Sequence, residues 1–271
     1  MRRYSLAHLT AIKASPRRLI ELAAGAGYDF VGLRLRDVLP GDGWPMAAGS
    51  TMLLETKRAL DDHGVALLDV ELAKLTPDTA IADFRPLLDS AAELGARHIL
   101  AQAHDDDQVR LLENFNALAD LASPYGLTID VEFLTWTSMR GVANVLELLE
   151  ASGRTNVGLV VDTLHFCRSQ CTVEDLEGVP ASLLHFIQLA DAKPEIPESI
   201  QGLIHTARED RLLPGDGGLD LVPILQRLPA ETIIGIEIPS HRLSAQIIDE
   251  VRVQRALAQA KSLVARAEST V

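Results

Sequence analysis

Four polar side chains close four consecutive apolar segments in the second half of the sequence. The segments and their closing residues are LTIDVEF (127–133) with Glu132, VGLVVD (157–162) with Asp162, LHFIQL (184–189) with Gln188, and TIIGIE (232–237) with Glu237. If the segments are parallel strands of a barrel, their carboxyl ends meet at one rim and the four side chains converge. Converging carboxylates repel each other, and a bound cation is the simplest compensation. Three carboxylates and one amide oxygen favour Mg²⁺ or Mn²⁺ over zinc.

A divalent ion in such a site polarises a carbonyl group, and a glutamate beside it can remove a proton from the neighbouring carbon. Each residue taken alone has an ordinary explanation. A strand-end glutamate is often exposed or salt-bridged, Gln188 could be a core amide, and Asp162 could cap the next helix. Their occurrence on four consecutive strands favours the metal site.

Further polar residues are predicted on the same rim. His165 follows Asp162 by three residues and could be a ligand, an acid/base or a helix-start residue; we expect it to face the substrate. Glu71 closes VALLDVE (65–71) and is a candidate substrate-binding residue. Arg208 and Arg211 are candidates for binding an anionic substrate group, with surface solvation as the alternative.

The elements that position these residues are eight apolar, β-branched segments separated by helical patterns. The strand candidates are 4–7, 30–35, 65–71, 98–102, 127–133, 157–162, 184–189 and 232–237. Nearly continuous apolar runs are typical of parallel strands buried on both faces. The first helix is predicted after Ser15 as N-cap, with Pro16 at the first helical position.

Eight β/α alternations predict a (β/α)8 barrel with residues 1–271 as one domain. The rival, a doubly wound open sheet, would normally carry a glycine-rich turn after its first strand, and the segment YSLAHLTAIKAS has none. The Pro- and Gly-rich segment 191–220 is a long connection after the seventh strand, and a connection of this length is typical of functional loops.

Composition excludes several classes of partner. The net charge is −13. A protein that binds nucleic acid or an anionic membrane needs a basic surface, so neither is expected. No stretch has the length of a membrane-spanning helix or the apolar core of a signal peptide, which predicts a cytoplasmic protein. Cys167 and Cys171 do not have metal-site spacing, and we expect two free thiols.

The motifs DVEFL, VVDTLHF, IQLADA and IGIEIPS, which contain Glu132, Asp162, His165, Gln188 and Glu237, resemble those of the xylose isomerase-like TIM-barrel superfamily, in its sugar phosphate isomerase/epimerase branch. The resemblance implies one divalent metal, Mn²⁺ or Mg²⁺ with Co²⁺ as a further option, held by Glu132, Asp162 and Glu237 together with Gln188, which stands where tagatose epimerase-like members have a histidine ligand. It also implies that Glu132 and Glu237 are the acid/base pair, that His165 contacts substrate, and that the protein is a homo-oligomer such as a dimer. Glutamine at position 188 is similar to bacterial 3-dehydroshikimate dehydratases, as is AREDRLLPGDGGLDL (207–221).

The function implied is isomerisation or epimerisation of a small polyhydroxy carbonyl compound, by removal of a proton beside a metal-polarised carbonyl. One alternative is a dehydratase acting on 3-dehydroshikimate or an inosose, because loss of a β-hydroxyl can follow the same proton removal. A second is a sugar-binding barrel without catalysis. A third is a subunit that needs a partner to complete its pocket.

Overall fold

Eight strands are present where the sequence predicts them. The computed structural model describes residues 2–38, 40–169 and 171–269. The strands are β1 (Tyr4–Leu6), β2 (Phe30–Arg34), β3 (Ala66–Leu75), β4 (His98–Ala103), β5 (Thr128–Glu132), β6 (Val157–Asp162), β7 (Phe186–Leu189) and β8 (Ile233–Ile236). The main difference from prediction is β3, which continues four residues beyond Glu71.

Helices follow the strands in the order expected of a β/α barrel. They are α1 (Pro16–Ala26), α2 (Thr51–His63), α3 (Arg85–Glu93), α4 (Gln108–Ala122), α5 (Val142–Ser152), α6 (Thr163–Arg168), α7 (Ile200–Glu209), α8 (Leu221–Arg227), α9 (His241–Gln246) and α10 (Asp249–Ser269). The predicted start of α1 is confirmed, since Ser15 Oγ accepts a hydrogen bond from Arg18 N and Gly27 ends the helix at φ 87°.

The strands pair in parallel and in sequence order, and β8 closes the barrel against β1. This confirms the predicted (β/α)8 fold. Register matters because side chains alternate between the two faces of a strand. Asp130 and Glu132 are two residues apart on β5, so both lie on the same face, one nearer each end of the barrel. Seven buried apolar residues form a separate cluster within the barrel: Phe30, Leu68, Leu72, Leu100, Val160, Phe186 and Ile233.

The long connection after β7 contains a helix that the sequence prediction did not include. It is α7, of which only Ala207 is buried. Asp191 anchors the rest of this connection, because its carboxylate accepts hydrogen bonds from the backbone N–H groups of Gly215, Gly217 and Leu219 at 2.9–3.1 Å. The connection is therefore tied to the end of β7 and carries Arg208 and Arg211 over the barrel mouth.

None of the helices within the described ranges combines the length and the apolar character needed to cross a bilayer.

Candidate active site

A cavity of about 300 Å³ opens at the carboxyl ends of the strands. Its polar lining residues are Arg34, Asp42, Gln102, Glu132, His165, Arg208, Glu209, Arg211, Glu237 and His241. Apolar walls come from side chains such as Leu134 and Trp136. Concave, largely apolar sites with a few converging polar groups are the usual form of small-molecule pockets.

Glu132, Asp162 and His165 form a compact group at the base of this cavity. One potential ligand atom from each residue lies within 4.8 Å of the others, and all three side chains are buried. Local structure explains the placement of His165. Asp162 ends β6 and is the N-cap of α6, and its Oδ1 accepts a hydrogen bond from His165 N at 3.0 Å. The predicted helix cap and the predicted site residue are therefore the same side chain.

Gln188 and Glu237 lie beside this group. The registers Asp162↔Gln188 and Gln188↔Gly235 bring the ends of β6, β7 and β8 together. Gln188 Nε2 donates a hydrogen bond to Glu237 Oε1 at 2.8 Å. Gln188 Oε1 and His165 Nδ1 are buried and have no hydrogen-bond partner within residues 2–38, 40–169 and 171–269. Buried polar atoms are almost always satisfied, so two such atoms beside a carboxylate cluster indicate a missing partner.

Arg211 is buried among the same carboxylates. Its Nη1 lies 2.5 Å from Asp162 Oδ2, and its Nη2 lies 3.1 Å from Glu237 Oε2. Its Nε donates to Ala207 O at 2.7 Å, which fixes the guanidinium to the end of α7. The sequence prediction assigned Arg211 to an anionic substrate group, whereas the structure places it against two predicted metal ligands.

Crowding changes the protonation of these groups. Burial, followed by the negative charge of Asp162, raises the pKa of Glu132 to about 8. Burial likewise raises the pKa of Glu237 well above its usual range. Burial opposes ionisation of Asp162 too, but Arg211 and His165 outweigh it and lower the Asp162 pKa. Burial lowers the pKa of His165 to about 4, so its imidazole is neutral near pH 7.

Glu71 and Arg208, the other two residues predicted to bind substrate, lie outside the group formed by Glu132, Asp162 and His165. Glu71 is buried, and its Oε2 accepts hydrogen bonds from Arg34 Nε at 2.9 Å and Nη2 at 2.6 Å. Glu71 Oε1 is buried and has no hydrogen-bond partner in the part of the chain that the structure describes. Arg34 also contacts Asp42 at 3.1 Å. Arg208 lines the cavity on the side formed by α7.

Sequence reasoning did not assign several residues that line the cavity, among them Gln102 and Trp136. Gln102 Nε2 donates a hydrogen bond to Glu132 Oε2. The sequence could have indicated Gln102, because this polar residue is near the end of β4, as the predicted site residues are on their strands. In the structure it is the strand partner of Glu132. Trp136 packs edge-on against His165 at 5.0 Å between ring centroids, and nothing in the surrounding loop sequence indicated this.

A second group of metal-ligand residue types lies away from this cavity. His98, at the first position of β4, and His185, just before β7, flank Asp130. Asp130 Oδ2 lies 3.0 Å from His98 Nδ1, and Asp130 Oδ1 lies 3.0 Å from His185 Nδ1. Thr128 Oγ1 donates to Asp130 Oδ2 at 3.1 Å. Both carboxylate oxygens are thus satisfied by neighbouring side chains.

Comparison with known families supports the fold assignment. The family model described as "Xylose isomerase-like TIM barrel" matches residues 20–264. The chain therefore belongs to this family, as its sequence motifs predicted.

Individual relatives are distant. The chain is 24% identical over 236 residues to an inosose isomerase of Bacillus velezensis, covering 81% of each sequence. It is 25% identical over 236 residues to a 3-dehydroshikimate dehydratase of Pseudomonas aeruginosa, covering 82% of this chain but 35% of that protein. A crystal structure of an IolI protein with a bound zinc atom superposes with a TM-score of 0.80 at 21% identity, covering 98% and 99% of the two chains. At this identity the structural match supports the fold alone.

Proposed function

We propose that this xylose isomerase-like barrel is a divalent-metal-dependent isomerase or epimerase of a small, sugar-like polyhydroxy carbonyl compound. The observation that carries the proposal is the pair Glu132 and Glu237, two buried carboxyl groups that line one cavity and whose pKa values are both raised. Raised carboxyl pKa values are typical of groups that exchange protons near neutral pH. The inosose isomerase relative supports a cyclic polyol ketone as the first substrate to test.

The residues present fit a divalent ion. Glu132, Asp162, Gln188 and Glu237 supply oxygen donors, and the unpartnered Gln188 Oε1 is an available ligand atom. His165 adds an imidazole to the compact group, which widens the choice from Mg²⁺ and Mn²⁺ to Co²⁺ or Zn²⁺. A bound ion would supply Lewis-acid polarisation of a substrate carbonyl. The structurally similar IolI protein contains a bound zinc atom, which supports a divalent ion in this proposal.

In this proposal the protein's own groups carry the proton. Glu132 and Glu237 come from strands on different sides of the cavity, so one can remove a proton from the carbon beside the carbonyl while the other delivers one. Gln102 and Gln188 each donate a hydrogen bond to one of these glutamates and hold its carboxyl group in place. The neutral His165 contacts substrate hydroxyl groups, and Trp136 packs against its ring and restricts its orientation.

The first experiment is solvent deuterium incorporation, measured by mass spectrometry, into a panel of ketoses, inososes and 3-dehydroshikimate. Each compound is incubated with the protein in D₂O with Mn²⁺ and then with EDTA. Metal-dependent gain of one deuterium, without other loss of mass, is the result expected of an isomerase or epimerase. Binding of metal and a panel compound with no exchange would instead favour a sugar-binding barrel.

Variants make the test specific to the site. Glu132→Gln and Glu237→Gln keep the side-chain size and remove the proton-carrying carboxylate, so each should abolish exchange. Glu93→Gln is a matched control, because Glu93 is on α3 and contacts the exposed backbone N–H of Gly49. Activity that persists after verified metal removal would contradict the ligand assignment.

A dehydratase is the second candidate, and the relationship to the Pseudomonas aeruginosa 3-dehydroshikimate dehydratase favours it. The same deuterium experiment separates the two, because dehydration yields a product lighter by one water. In that reaction a hydroxyl group leaves from the carbon next to the carbanion, and one of the two glutamates, whose raised pKa values keep a proton near neutral pH, would protonate it. Loss of water from 3-dehydroshikimate, without deuterated substrate accumulating, would replace the isomerase proposal.

A further inference from the structure

Lys74 is a basic residue at the edge of the active-site cavity, and the proposed reaction does not use it. It is in the part of β3 that continues beyond Glu71, and in the register it pairs with Gln102 of β4. Gln102 lines the active-site cavity, so Lys74 projects to the same inner side of the barrel. Leu72 lines the active-site cavity and also, with Lys74, an adjoining cavity of about 250 Å³. Lys74 therefore lies at the boundary between the two cavities.

His104 and Arg208 lie close to Lys74. The Nε2 of His104 lies 3.5 Å from Gln102 Oε1, and Arg208 lines the active-site cavity from α7. Burial, followed by the charges of Lys74 and Arg208, lowers the pKa of His104 to about 4. Burial and then the charge of Arg208 lower the pKa of Lys74. Each of the three side chains is thus within electrostatic reach of the other two, and we call these three residues the basic edge.

The basic edge has no counter-ion in the part of the chain that the structure describes. Neither Lys74 nor Arg208 forms an ion pair there. His104 is neutral near pH 7 because its pKa is low. Lys74 is exposed and Arg208 is half-buried, so both charged groups remain accessible to a ligand. Two like charges held close together repel each other, and an anion between them removes that repulsion.

The carboxylates around the basic edge are paired with other groups or are solvated. Besides Glu132 and Glu237, the carboxylates that line the two cavities are Asp37, Asp42, Asp78, Asp83 and Glu209. Asp42 and Glu209 are paired, at 3.1 Å each, with Arg34 and His205. Asp37 accepts hydrogen bonds from two backbone N–H groups, and Asp78 and Asp83 are exposed to solvent. The basic edge therefore remains available to an anionic ligand.

We propose that the substrate carries an anionic group, either a carboxylate or a phosphate ester, which Lys74 and Arg208 bind at the mouth of the cavity. The inference rests on the proposed function, because it places the carbonyl end of the same molecule at Glu132 and Glu237. A guanidinium offers two N–H groups to carboxylate or phosphate oxygens, and an ammonium adds a compact charge. An uncharged polyol would leave the two cations unpaired. The substrate class therefore narrows to polyhydroxy keto acids or sugar phosphates.

Isothermal titration calorimetry of the full-length protein with Mn²⁺ tests the inference with two matched pairs of probes. 5-Keto-D-gluconate is L-sorbose with a terminal CH₂OH group oxidised to a carboxylate, and D-fructose 6-phosphate is D-fructose with a phosphate ester. In each pair the acid should bind about tenfold more tightly than the neutral sugar, as expected for one hydrogen bond to a charged group. A larger gain in the first pair indicates a carboxylate, and a larger gain in the second pair indicates a phosphate. Equal affinities within both pairs, or no binding of either acid, overturn the inference.

Variants tie the preference for acids to the basic edge. Lys74→Gln and Arg208→Gln should each remove most of the gain in affinity for the acid and leave the affinity for the neutral sugar unchanged. Lys74→Arg keeps the charge and should keep the gain. Lys57→Gln and Arg58→Gln are matched controls, because both residues are exposed on α2 and line neither cavity. Equal weakening in the controls would show a general effect of net charge and contradict the site.

The inference and the proposed function can fail separately, because calorimetry needs no turnover. Metal-dependent deuterium exchange into an inosose, without any preference for the acidic probes, would support the proposed function and overturn the anion-binding role of the basic edge. A preference for the acidic probes that both glutamine variants remove, without deuterium exchange into any compound, would support the anion-binding role and overturn the proposed reaction.

Discussion

The barrel carries two groups of buried acids and histidines that differ in how well their polar atoms are paired. Around Asp130, both carboxylate oxygens accept hydrogen bonds, and His185 and then His98 lower the Asp130 pKa although burial raises it. Around Glu132, polar atoms remain unpartnered and carboxyl pKa values are raised. Both groups have residue types and spacings that could hold a metal.

The difference supports the proposal that the Glu132 group is functional and the Asp130 group is structural. A buried carboxylate whose partners are all supplied by the protein contributes to stability and has no spare bonding capacity. A buried carboxylate cluster flanked by polar atoms that have no partner among the described residues, here Gln188 Oε1 and His165 Nδ1, is unfavourable for folding alone, and such arrangements are typical of sites that bind a ligand. Residue type alone would have given the two groups equal weight.

The largest expected effect concerns activity at the Glu132 group. Glu132→Gln should lower the rate of substrate deuterium exchange by about a thousandfold, in the range that a general base contributes. Its melting temperature without metal should remain close to that of the wild type near pH 7, because a carboxyl group with a pKa of about 8 is already mostly neutral there and an amide of the same size replaces it. Rates from mass spectrometry and melting temperatures from calorimetry provide both values. A large loss of stability with retained deuterium exchange would show that the Glu132 group is structural and does not carry the activity.

The second effect is on stability at the Asp130 group. Asp130→Asn should lower the free energy of unfolding by about 3 kcal/mol, because it removes one partner of a buried charged network. An asparagine N–H group would also oppose a histidine N–H donor. Exchange activity per folded molecule should be retained. Urea denaturation measures the change, and an unaltered free energy would show that this group is not structural.

Metal addition distinguishes the two groups directly. Mn²⁺ at about a hundred times its dissociation constant should stabilise the protein by about 2.7 kcal/mol, which corresponds to a rise of roughly 5–10 °C in melting temperature. Asp162→Asn should remove most of this rise, whereas His185→Gln should leave it intact. The reverse pattern would place the ion at the Asp130 group.

The smallest effect is a pH dependence from the Asp130 group. The hydrogen bond between His185 and Asp130 raises the pKa of His185 in the folded protein. The stabilisation that this bond gives to the folded state is therefore complete below about pH 6.5, the pKa of an unperturbed histidine, and is lost as the pH rises through the higher pKa of the folded protein. The lowered Asp130 pKa gives stabilisation above about pH 4 that is lost on acidification. The stability difference between wild type and Asp130→Asn should therefore be greatest near pH 5–6 and smaller at pH 9. Denaturation at these pH values tests it, and a difference independent of pH would exclude this linkage.

Much of the fold could be predicted from sequence because parallel strands buried on both faces have a distinctive composition. VGLVVD predicted β6 at its observed bounds, Val157–Asp162. The helix α7 was harder to predict, because it is only partly buried and lies in a segment rich in proline and charge. Its position depends on Asp191 and the loop it anchors, which are long-range contacts.

The site residues were predictable in identity more than in their contacts. The strand-end rule selected Glu132, Asp162 and Glu237, and all three side chains are buried together near one cavity. The Arg211 contacts with two of them depend on where α7 ends, and no local pattern determines that. The Asp130 group also depends on register, since Asp130 pairs with Gly158, and a Cβ at Gly158 would lie 2.8 Å from His185 Nδ1.

The position of Arg211 has a consequence for which substrates the cavity can accept. With a divalent ion bound as proposed, three ionised carboxylates, one guanidinium and the ion sum to zero. An uncharged polyol ketone would then enter a site without net charge, and selection among stereoisomers would depend on hydrogen-bond geometry. A substrate that carries a charged group would have to keep that group at the cavity mouth, beside Arg208.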